Sequence, residues 1–414
     1  MTLLRATSLS LLILPATVAA SPQPSPAPRH REYVEVTATR VPEPVEEVPA
    51  SVTVVSDAEM RDSGATDLRD ALAFVQGVDI SPGGDQGPAA SVPEFWGLRE
   101  FDAFLLVVDG VPWGGAFNPA LGTLDLHDVE RVEVLLGAAP VMYGATSFVG
   151  VIHVVRKAPA DTPREATASF GRFGSGSARV TSALGRWAGF ASALSFDAER
   201  RGYADERTRF DRGHVLWRNA RDLGAGRFRF DVDGTWLDQD PASPHPREGP
   251  SLSAAVRLDA NHNPAGARLD ERRVFLSAGY DRRLRATTWS TAAALTRSTQ
   301  EVLRGFLVEP ADAPLNARGL RGDVEVTDLY FDSHVAWTAR RPIKVVAGID
   351  HLHGEGRAEG GTFQYTARLD GRDPEAAPGV GGDTRIEDRR DFSGVYGFVE
   401  WNPSPPGASR PARG

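Results

Sequence analysis

The sequence predicts a mainly β protein, in which a small α+β domain is followed by antiparallel strands of a membrane-spanning β-barrel. Three observations predict this class. Helix and strand signals mix between residues 49 and 160, strand signals alone follow Pro163, and the connections between the later strands alternate between short and long. Short turns at one end of the strands and long loops at the other are typical of outer-membrane barrels.

The first 20 residues are predicted to be a signal peptide. Arg5 precedes the apolar run LSLLILPATVAA, and Val18 and Ala20 suit a small-residue cleavage site. A membrane anchor is the alternative, but the run is shorter than the roughly 20 residues that a helical span needs. No later segment reaches that length, so we expect an exported chain without a transmembrane helix.

Composition excludes several classes of site. The chain has no cysteine, which excludes disulfides and thiolate metal ligands. Its net charge of -9 argues against nucleic acid as a partner. We also find no glycine-rich phosphate loop, nucleophile elbow or histidine-carboxylate motif at catalytic spacing, so we predict no enzyme, no cofactor and no metal centre.

The segment up to Lys157 contains both helices and strands. Ser56 and Glu59 occupy capping-box positions, and Gly64 is a helix stop. In TDLRDALAFVQG, Leu68, Leu72 and Val75 share one helical face. Three further segments read as strands, namely FLLVVDGVPW, VERVEVLLG and VGVIHVVRK.

After Pro163 the chain contains about ten strand candidates with alternating polarity. In GRFRFDVDGTWL the residues Phe228, Val232 and Trp236 fall on one face, and Asp231 and Asp233 fall on the other. VEVTDLYFDSHVAW alternates in the same way. A soluble sandwich would alternate too, with its polar face toward water, so periodicity leaves both folds open. The sorted loop lengths favour the barrel.

Several motifs in order resemble the plug domain of TonB-dependent outer-membrane receptors. The stretch LLVVDGVPW is followed by DVERVEVLLGAAPVMYGATSFVGVIHVVRK, which is similar to that family's strand with Asp-Gly-Val-Pro, its Ile-Glu-Arg-Ile-Glu-Val run and its Tyr-Gly pair. The resemblance implies structural roles for Gly97, Asp109, Gly110, Arg131, Glu133, Gly137, Tyr143 and Gly144. From the residues alone, Arg131 and Glu133 share a strand face, which favours a local ion pair over ligand contact.

The resemblance also implies a domain order and a barrel of 22 strands, of which about ten are present. The expected divisions are a signal peptide (1–20), a flexible N-terminal segment (21–48), the plug domain (49–160), a partial β-barrel (161–403) and an irregular tail (404–414). Ten strands cannot close around a domain of this size, since barrel diameter grows with strand number. We therefore expect an incomplete barrel.

A short β-prone stretch, YVEVTAT, lies between proline-rich flanks and resembles a TonB box. Such a segment suits addition to the edge of a partner's sheet, where main-chain hydrogen bonds supply the affinity. A plain linker is the alternative reading. The resemblance implies that the inner-membrane protein TonB binds Val34, Glu35, Val36, Thr37, Ala38 and Thr39.

Ligand contacts are implied in the outward loops of the plug. The candidates are Asp85, Gln86, Trp113, Phe117 and Asn118, because an exposed aromatic beside polar groups provides an apolar surface with orienting hydrogen bonds. The alternative for Trp113 is packing against the barrel wall. His351 and His353 share a strand face with a carboxylate nearby, and we interpret them as solvated groups of the barrel lumen or rim rather than as metal ligands.

Two positions depart from the family's pattern. Trp96 and Leu136 stand where typical members have arginines that pair with barrel glutamates, so we expect the matching glutamates to be absent and plug anchoring to differ. The implied function is TonB-dependent uptake, across the outer membrane of a Gram-negative bacterium, of a scarce ligand such as a siderophore, a metal chelate or a cobalamin-like molecule. Outer-membrane lipid is a further expected partner. The alternatives are a truncated, non-transporting ligand-binding or structural outer-membrane protein derived from such a receptor, and a passive porin.

Overall fold

A computed structural model describes the greater part of the chain. The described residues are 35–36, 43–44, 51–80, 93–98, 104–113, 121, 124–126, 128–137, 149–204, 207–245, 247–248, 250–254, 256–258, 260–308, 315–340, 343–370 and 384–401. Among them, neither helix is long and apolar enough to cross a membrane.

The N-terminal part is a small α+β domain. Its elements, in chain order, are β1 (Glu35–Val36), β2 (Glu43–Pro44), β3 (Ser51–Ser56), α1 (Asp57–Ser63), α2 (Leu68–Leu72), β4 (Val78–Ile80), β5 (Pro93–Phe95), β6 (Phe104–Val108), β7 (Val111–Pro112), β8 (Val129–Leu136) and β9 (Gly150–Arg156). One five-stranded sheet has the order β3-β8-β9-β6-β7, while β1 pairs with β2 and β4 pairs with β5.

Local capping defines the two helices. The predicted capping box is confirmed, because the Ser56 side chain accepts from the Glu59 backbone and the Glu59 carboxylate accepts from the Ser56 N–H at 2.7 Å. Gly64 ends α1 with φ 74°, a left-handed conformation that glycine adopts without strain. Asp67 caps α2 by accepting from the N–H groups of Arg69 and Asp70.

The second part is one antiparallel sheet of ten strands in simple up-and-down order. These are β10 (Glu165–Phe170), β11 (Gly176–Trp187), β12 (Phe190–Gly202), β13 (Arg209–Leu223), β14 (Gly226–Asp240), β17 (Arg268–Leu284), β18 (Thr287–Leu307), β19 (Ala317–Arg340), β20 (Ile343–Tyr365) and β21 (Thr384–Trp401). A 3-10 turn lies at Arg172–Gly174, and a small hairpin of β15 (Arg247–Glu248) and β16 (Ser251–Leu252) lies outside the sheet. The number of strands agrees with the ten candidates, and β14 and β19 contain the two stretches quoted above.

The connections are sorted by length as predicted. At one end, residues 188–189, 224–225 and 285–286 separate successive strands, and two residues lie between the end of β19 and the start of β20. At the other end, residues 241–267 and 366–383 form the two longest connections. In an up-and-down antiparallel sheet, successive connections alternate between the two ends of the strands. The short turns are every second connection here, so they all lie at the same end of the sheet.

The sheet buries its polar face and exposes its apolar face, which is the reverse of a soluble sandwich. Asp233 and Asp332 are 1% and 2% exposed, whereas Leu329 and Phe331 are 52% and 44% exposed. The buried polar face of the sheet packs around the N-terminal domain. One core cluster joins Leu106 and Ile152 of that domain with sheet residues that include Phe275, Ala294, Tyr330 and Leu352. This arrangement decides between the sandwich and the barrel in favour of the barrel.

Candidate functional site between the N-terminal domain and the sheet

The candidate site is the charged interface between the N-terminal domain and the inner face of the ten-stranded sheet. Buried charged and polar residues line it from both sides; those from the sheet include Asp197, Glu199, Arg212, His214, Arg218, Asp231, Asp233, Glu271, Arg273, Asp328 and Asp332. Each of these groups loses water on burial, so each requires a partner across or along the interface.

The Asp109–Gly110 turn forms the first anchor. It links β6 to β7, with φ 49° at Asp109 and 86° at Gly110. The Asp109 carboxylate accepts from the Arg156 backbone N–H at 2.9 Å and from the Arg218 guanidinium at 3.0 Å. Arg218 also lies 3.3 Å from Asp231 on the neighbouring strand. The turn is therefore fixed both to its own sheet and to β13.

Arg156, at the end of β9, forms the second anchor. Its guanidinium donates to Asp233 of β14, and both side chains are almost fully buried. Asp233 also accepts from His214 Nε2, at 3.1 Å. One carboxylate of the sheet thus binds a group from the N-terminal domain and a group from β13.

The start of α2 forms the third anchor. Asp67 caps the helix, pairs with Arg69 on the same helix and accepts from Arg201 of β12 at 3.0 Å. Arg201 also donates to the Thr66 hydroxyl. Since Asp67 is fully buried, its charge depends on these partners.

A fourth set of contacts surrounds Asp125 and Asp128. Arg212 Nη2 lies 3.4 Å from Asp125 and from Asp197, and 3.0 Å from Glu199. His214 Nδ1 lies 3.2 Å from Asp197. Asp128 accepts from the Ser195 hydroxyl. Sequence reasoning missed this cluster, because alternation shows which residues face inward but not which of them meet.

Trp113 lies at the centre of the interface, which corrects the expectation of an exposed aromatic. It is 2% exposed, and its ring centroid is 4.6 Å from that of Phe275. The guanidinium groups of Arg156 and Arg273 lie 5.5 and 5.7 Å from the indole ring. The alternative of packing against the wall describes this arrangement. Trp113 directly follows β7, its backbone N–H donates to the Leu106 carbonyl at 2.8 Å, and its indole contacts Phe275 of the sheet. A contact with ligand stays a prediction.

Two of the other predicted residues, Arg131 and Glu133, make their contacts within the N-terminal domain. Arg131 donates to Glu133 at 2.8 Å, and Glu133 lies 3.3 Å from His153, whose Nε2 accepts from the Gly110 N–H. Gly97 and Gly137 have φ values of 81° and 103°. Tyr143, Gly144 and the ligand candidates Asp85, Gln86, Phe117 and Asn118 lie outside the described residues.

The TonB-box-like stretch is described in part. Glu35 and Val36 form β1, which pairs with Pro44 and Glu43 of β2. Val34, Thr37, Ala38 and Thr39 lie outside the described residues. The partner role of the whole stretch therefore stays a prediction.

The family-atypical residues Trp96 and Leu136 lie close to Gly77. Trp96 is 67% exposed and has φ 54°. Among the described residues, ion pairs between the N-terminal domain and the sheet involve Asp67, Asp70, Asp109, Asp125 and Arg156 instead. Anchoring is thus achieved at other positions, mostly with the carboxylate on the N-terminal domain and the arginine on the sheet.

His351 and His353 lie on the outer face of β20, opposite the exposed Phe331 and Leu329, so the expectation that they face the lumen is wrong. His353 is 2.7 Å from Asp391 and 3.3 Å from Glu355, and His351 is 2.8 Å from the Ser393 hydroxyl. All of these side chains are partly or largely exposed to solvent. They form surface hydrogen bonds between β20 and β21.

The pH dependence of the anchors follows from two aspartates. Burial would raise the pKa of Asp109, but Arg218 and Arg156 outweigh it and hold that pKa below its ordinary value of 3.8. Burial acts in the same way on the pKa of Asp67, and Arg69 and Arg201 again hold the pKa low. The stability that the ionised Asp109 and Asp67 contribute to the folded protein is present in full above about pH 5. It is lost as the pH falls through the lowered pKa values of these two carboxyl groups.

We therefore expect the urea midpoint of unfolding in detergent to be flat from pH 7 to about pH 5 and to fall below about pH 4. Asp125 has the opposite effect on the pH dependence of stability, because burial and Asp197 raise its pKa.

Asp109→Asn removes the contribution of one carboxylate. The urea midpoint of this variant should fall less steeply with decreasing pH than that of the parent. Parallel curves for the two proteins would contradict the role of Asp109.

Comparison with known proteins assigns the N-terminal domain. The TonB-dependent Receptor Plug Domain family matches residues 44–151. The chain is 37% identical over 129 residues to the vitamin B12 transporter BtuB of Vibrio vulnificus, a match that covers 30% of this chain and 20% of that protein. It is 30% identical over 129 residues to the catecholate siderophore receptor Fiu of Escherichia coli, covering 31% of this chain and 16% of that protein.

Solved structures extend the likeness of fold to the ten-stranded sheet. The ferripyoverdine receptor of the outer membrane of Pseudomonas aeruginosa has a TM-score of 0.70 at 17% identity, covering 88% of this chain and 51% of that chain. The unliganded ferric citrate transporter FecA has a TM-score of 0.66 at 15% identity, covering 86% and 55%. The chain thus spans about half of each solved receptor, and the sequence matches span about a fifth or less of the curated relatives.

These relatives are receptors and transporters, in agreement with the prediction that the chain is not an enzyme. The N-terminal domain is the plug, and the ten strands have the fold of the receptors' barrel wall. Residues 44–151 therefore belong to the TonB-dependent receptor plug-domain family.

Proposed function

We propose that this chain functions as an outer-membrane receptor for TonB-dependent uptake of a scarce ligand, such as a siderophore or a cobalamin-like molecule. The observation that supports it most is a polar interior occupied by a plug, inside a sheet whose outer face is apolar. A water-soluble protein would hide that face. A porin would leave the interior open to water.

The outer face of the sheet has an apolar zone with charged residues at one end and tryptophans at the other, as a bilayer-spanning surface requires. Exposed apolar side chains lie opposite each other in the pairs Leu194–Trp217, Phe196–Val215 and Ile349–Val395. The same face also exposes Val274, Leu329, Phe331 and Val335. Toward the long connections the same face becomes charged, with the pairs Arg200–Asp211 and Arg268–Glu301. Toward the short turns it carries Trp187 and Trp401, which suit the membrane interface.

The ligand class is supported by the relatives' names alone. BtuB is a vitamin B12 transporter and Fiu is a catecholate siderophore receptor, so both substrate classes are candidates. Cells that produce the protein should take up labelled cobalamin or a ferric catecholate in a manner that stops when the proton gradient is dissipated. Binding without uptake would favour the alternative of a non-transporting receptor.

The proposed contact with TonB is tested by a substitution in β1. Proline at position 36 removes a backbone donor and disfavours strand pairing, so we expect Val36→Pro to weaken binding of the TonB periplasmic domain at least about tenfold. Val36→Thr retains the N–H and a β-branched side chain, and it should bind as the parent does. Binding would be measured by surface plasmon resonance with the detergent-solubilised chain.

Equal binding by the parent and Val36→Pro would remove residues 34–39 from the interface with TonB. No binding by either protein would leave the plug assignment intact. It would also make the non-transporting reading the better one.

A further inference from the structure

A buried group of potential metal ligands lies where the plug meets the barrel wall. Asp125 of the plug, Asp197 of β12 and His214 of β13 each offer one ligand atom, and these atoms all lie within 4.8 Å of one another. The three residues are 7%, 2% and 4% exposed. They come from three separate elements, so the group exists only when the plug is docked.

Backbone geometry explains why these side chains converge. Asp197 and His214 are directly opposite in the register of β12 and β13, so both point to the same face of the sheet. Asp125 is held by a backbone bridge to Asp67, at the start of α2. His214 Nδ1 and Asp197 Oδ1 are 3.2 Å apart. Two donors bound to one tetrahedral zinc ion at about 2.0–2.1 Å would be separated by roughly 3.4 Å.

The surroundings also match those of a metal-ligating histidine. His214 Nε2 lies 3.1 Å from Asp233, and such ligands commonly donate their second ring N–H to a carboxylate. His214 Nδ1 and Asp197 Oδ1 are both buried, and among the described residues neither has a hydrogen-bond partner other than their 3.2 Å contact with each other. Either a proton or a cation can therefore occupy the space between the two atoms.

Arg212 is compatible with a cation at this position. It contacts Asp197 through the other carboxylate oxygen, Oδ2, at 3.4 Å, and it lies 3.0 Å from Glu199. A guanidinium in that place hydrogen-bonds a ligating carboxylate from behind and orients it. Four carboxylates supply negative charge around the added ion, namely Asp125, Asp197, Glu199 and Asp233. Arg212 contacts the first three of them, while Arg201 pairs with Glu199 and Arg156 pairs with Asp233.

We propose that Asp125, Asp197 and His214 bind one divalent transition-metal ion of the class that includes Zn²⁺, and that this ion ties the plug to the barrel wall. An imidazole donor favours this class over Mg²⁺ and Ca²⁺, which prefer oxygen. Two ligands belong to the wall and one to the plug, so release of the plug removes a ligand and weakens the site. A proton on His214 Nδ1 is the competing occupant of the same gap.

The test is Zn²⁺ binding to the purified chain in detergent after treatment with a chelator, measured by titration calorimetry, with Co²⁺ absorption spectra as a second readout. We expect the parent to bind one ion. Asp125→Asn and His214→Gln should each bind at least about a hundredfold more weakly, and Asp233→Asn about 10–100-fold more weakly. His353→Gln, a histidine of the outer face that also contacts two carboxylates, is the matched control and should bind as the parent does.

Zn²⁺ should also raise the urea midpoint of the parent and leave that of Asp125→Asn unchanged. Asp125→Asn is nearly isosteric, so it decides the question if His214→Gln does not fold. The proposal is overturned if the parent binds no Zn²⁺, which would assign the gap to a proton. It is also overturned if Asp125→Asn and His214→Gln bind as the parent does, or if His353→Gln loses the ion.

Discussion

Asp109→Asn is expected to weaken docking of the plug by about 3 kcal/mol, at the lower end of the cost of breaking a buried ion pair. The carboxylate is 16% exposed and serves both Arg218 and the Arg156 backbone. Asparagine accepts the positive φ of the turn and retains the shape of the side chain, so the effect reports the lost charge. Arg218 would keep Asp231, at 3.3 Å, as its remaining carboxylate.

The measurement is the urea midpoint of unfolding at neutral pH, with limited proteolysis as a separate readout of plug release. Glu387→Gln is the matched control, since it removes an exposed carboxylate from the Arg385–Glu387 pair on β21 and should change neither readout. If Asp109→Asn behaves like Glu387→Gln, this anchor does not hold the plug.

Trp113→Ala is expected to cost about 3–5 kcal/mol, the usual range when a large buried aromatic is truncated. The cavity would lie between the plug and β17, where the indole contacts Phe275, and the two flanking arginines would lose their aromatic partner. The change should lower the urea midpoint and increase proteolysis of the plug.

Trp96→Ala is the matched control for this prediction, because Trp96 belongs to the same domain and is 67% exposed. Its midpoint should stay close to that of the parent. If Trp113→Ala kept the parent's stability and lost ligand binding instead, the ligand-contact prediction would replace the packing role.

Much of the fold was predictable from local signals. Alternation located all ten strands, and the capping box located the start of α1. Alternation also placed Asp231 and Asp233 opposite Val232 and Trp236, but it did not indicate which face was buried. The loop lengths resolved that ambiguity, because short and long connections follow from strands that traverse a membrane.

The interface was not predictable in the same way. Asp109 and Arg218 are far apart in the chain, as are Arg156 and Asp233, and no periodic signal links them. Trp113 resembled a binding residue because glycines and polar residues surround it in sequence, whereas its burial depends on Phe275 of β17. The cluster of Asp125, Asp197 and His214 had no local signature at all.

The sequence by itself determined the kind of each element, their order along the chain and the family of the plug, because capping, turn chemistry and alternation act between near neighbours. Only the tertiary structure decided which charged groups meet between plug and wall and which aromatic is buried there. Those contacts depend on the register of strands and on how one domain docks inside the other, and that geometry arises from many residues acting together.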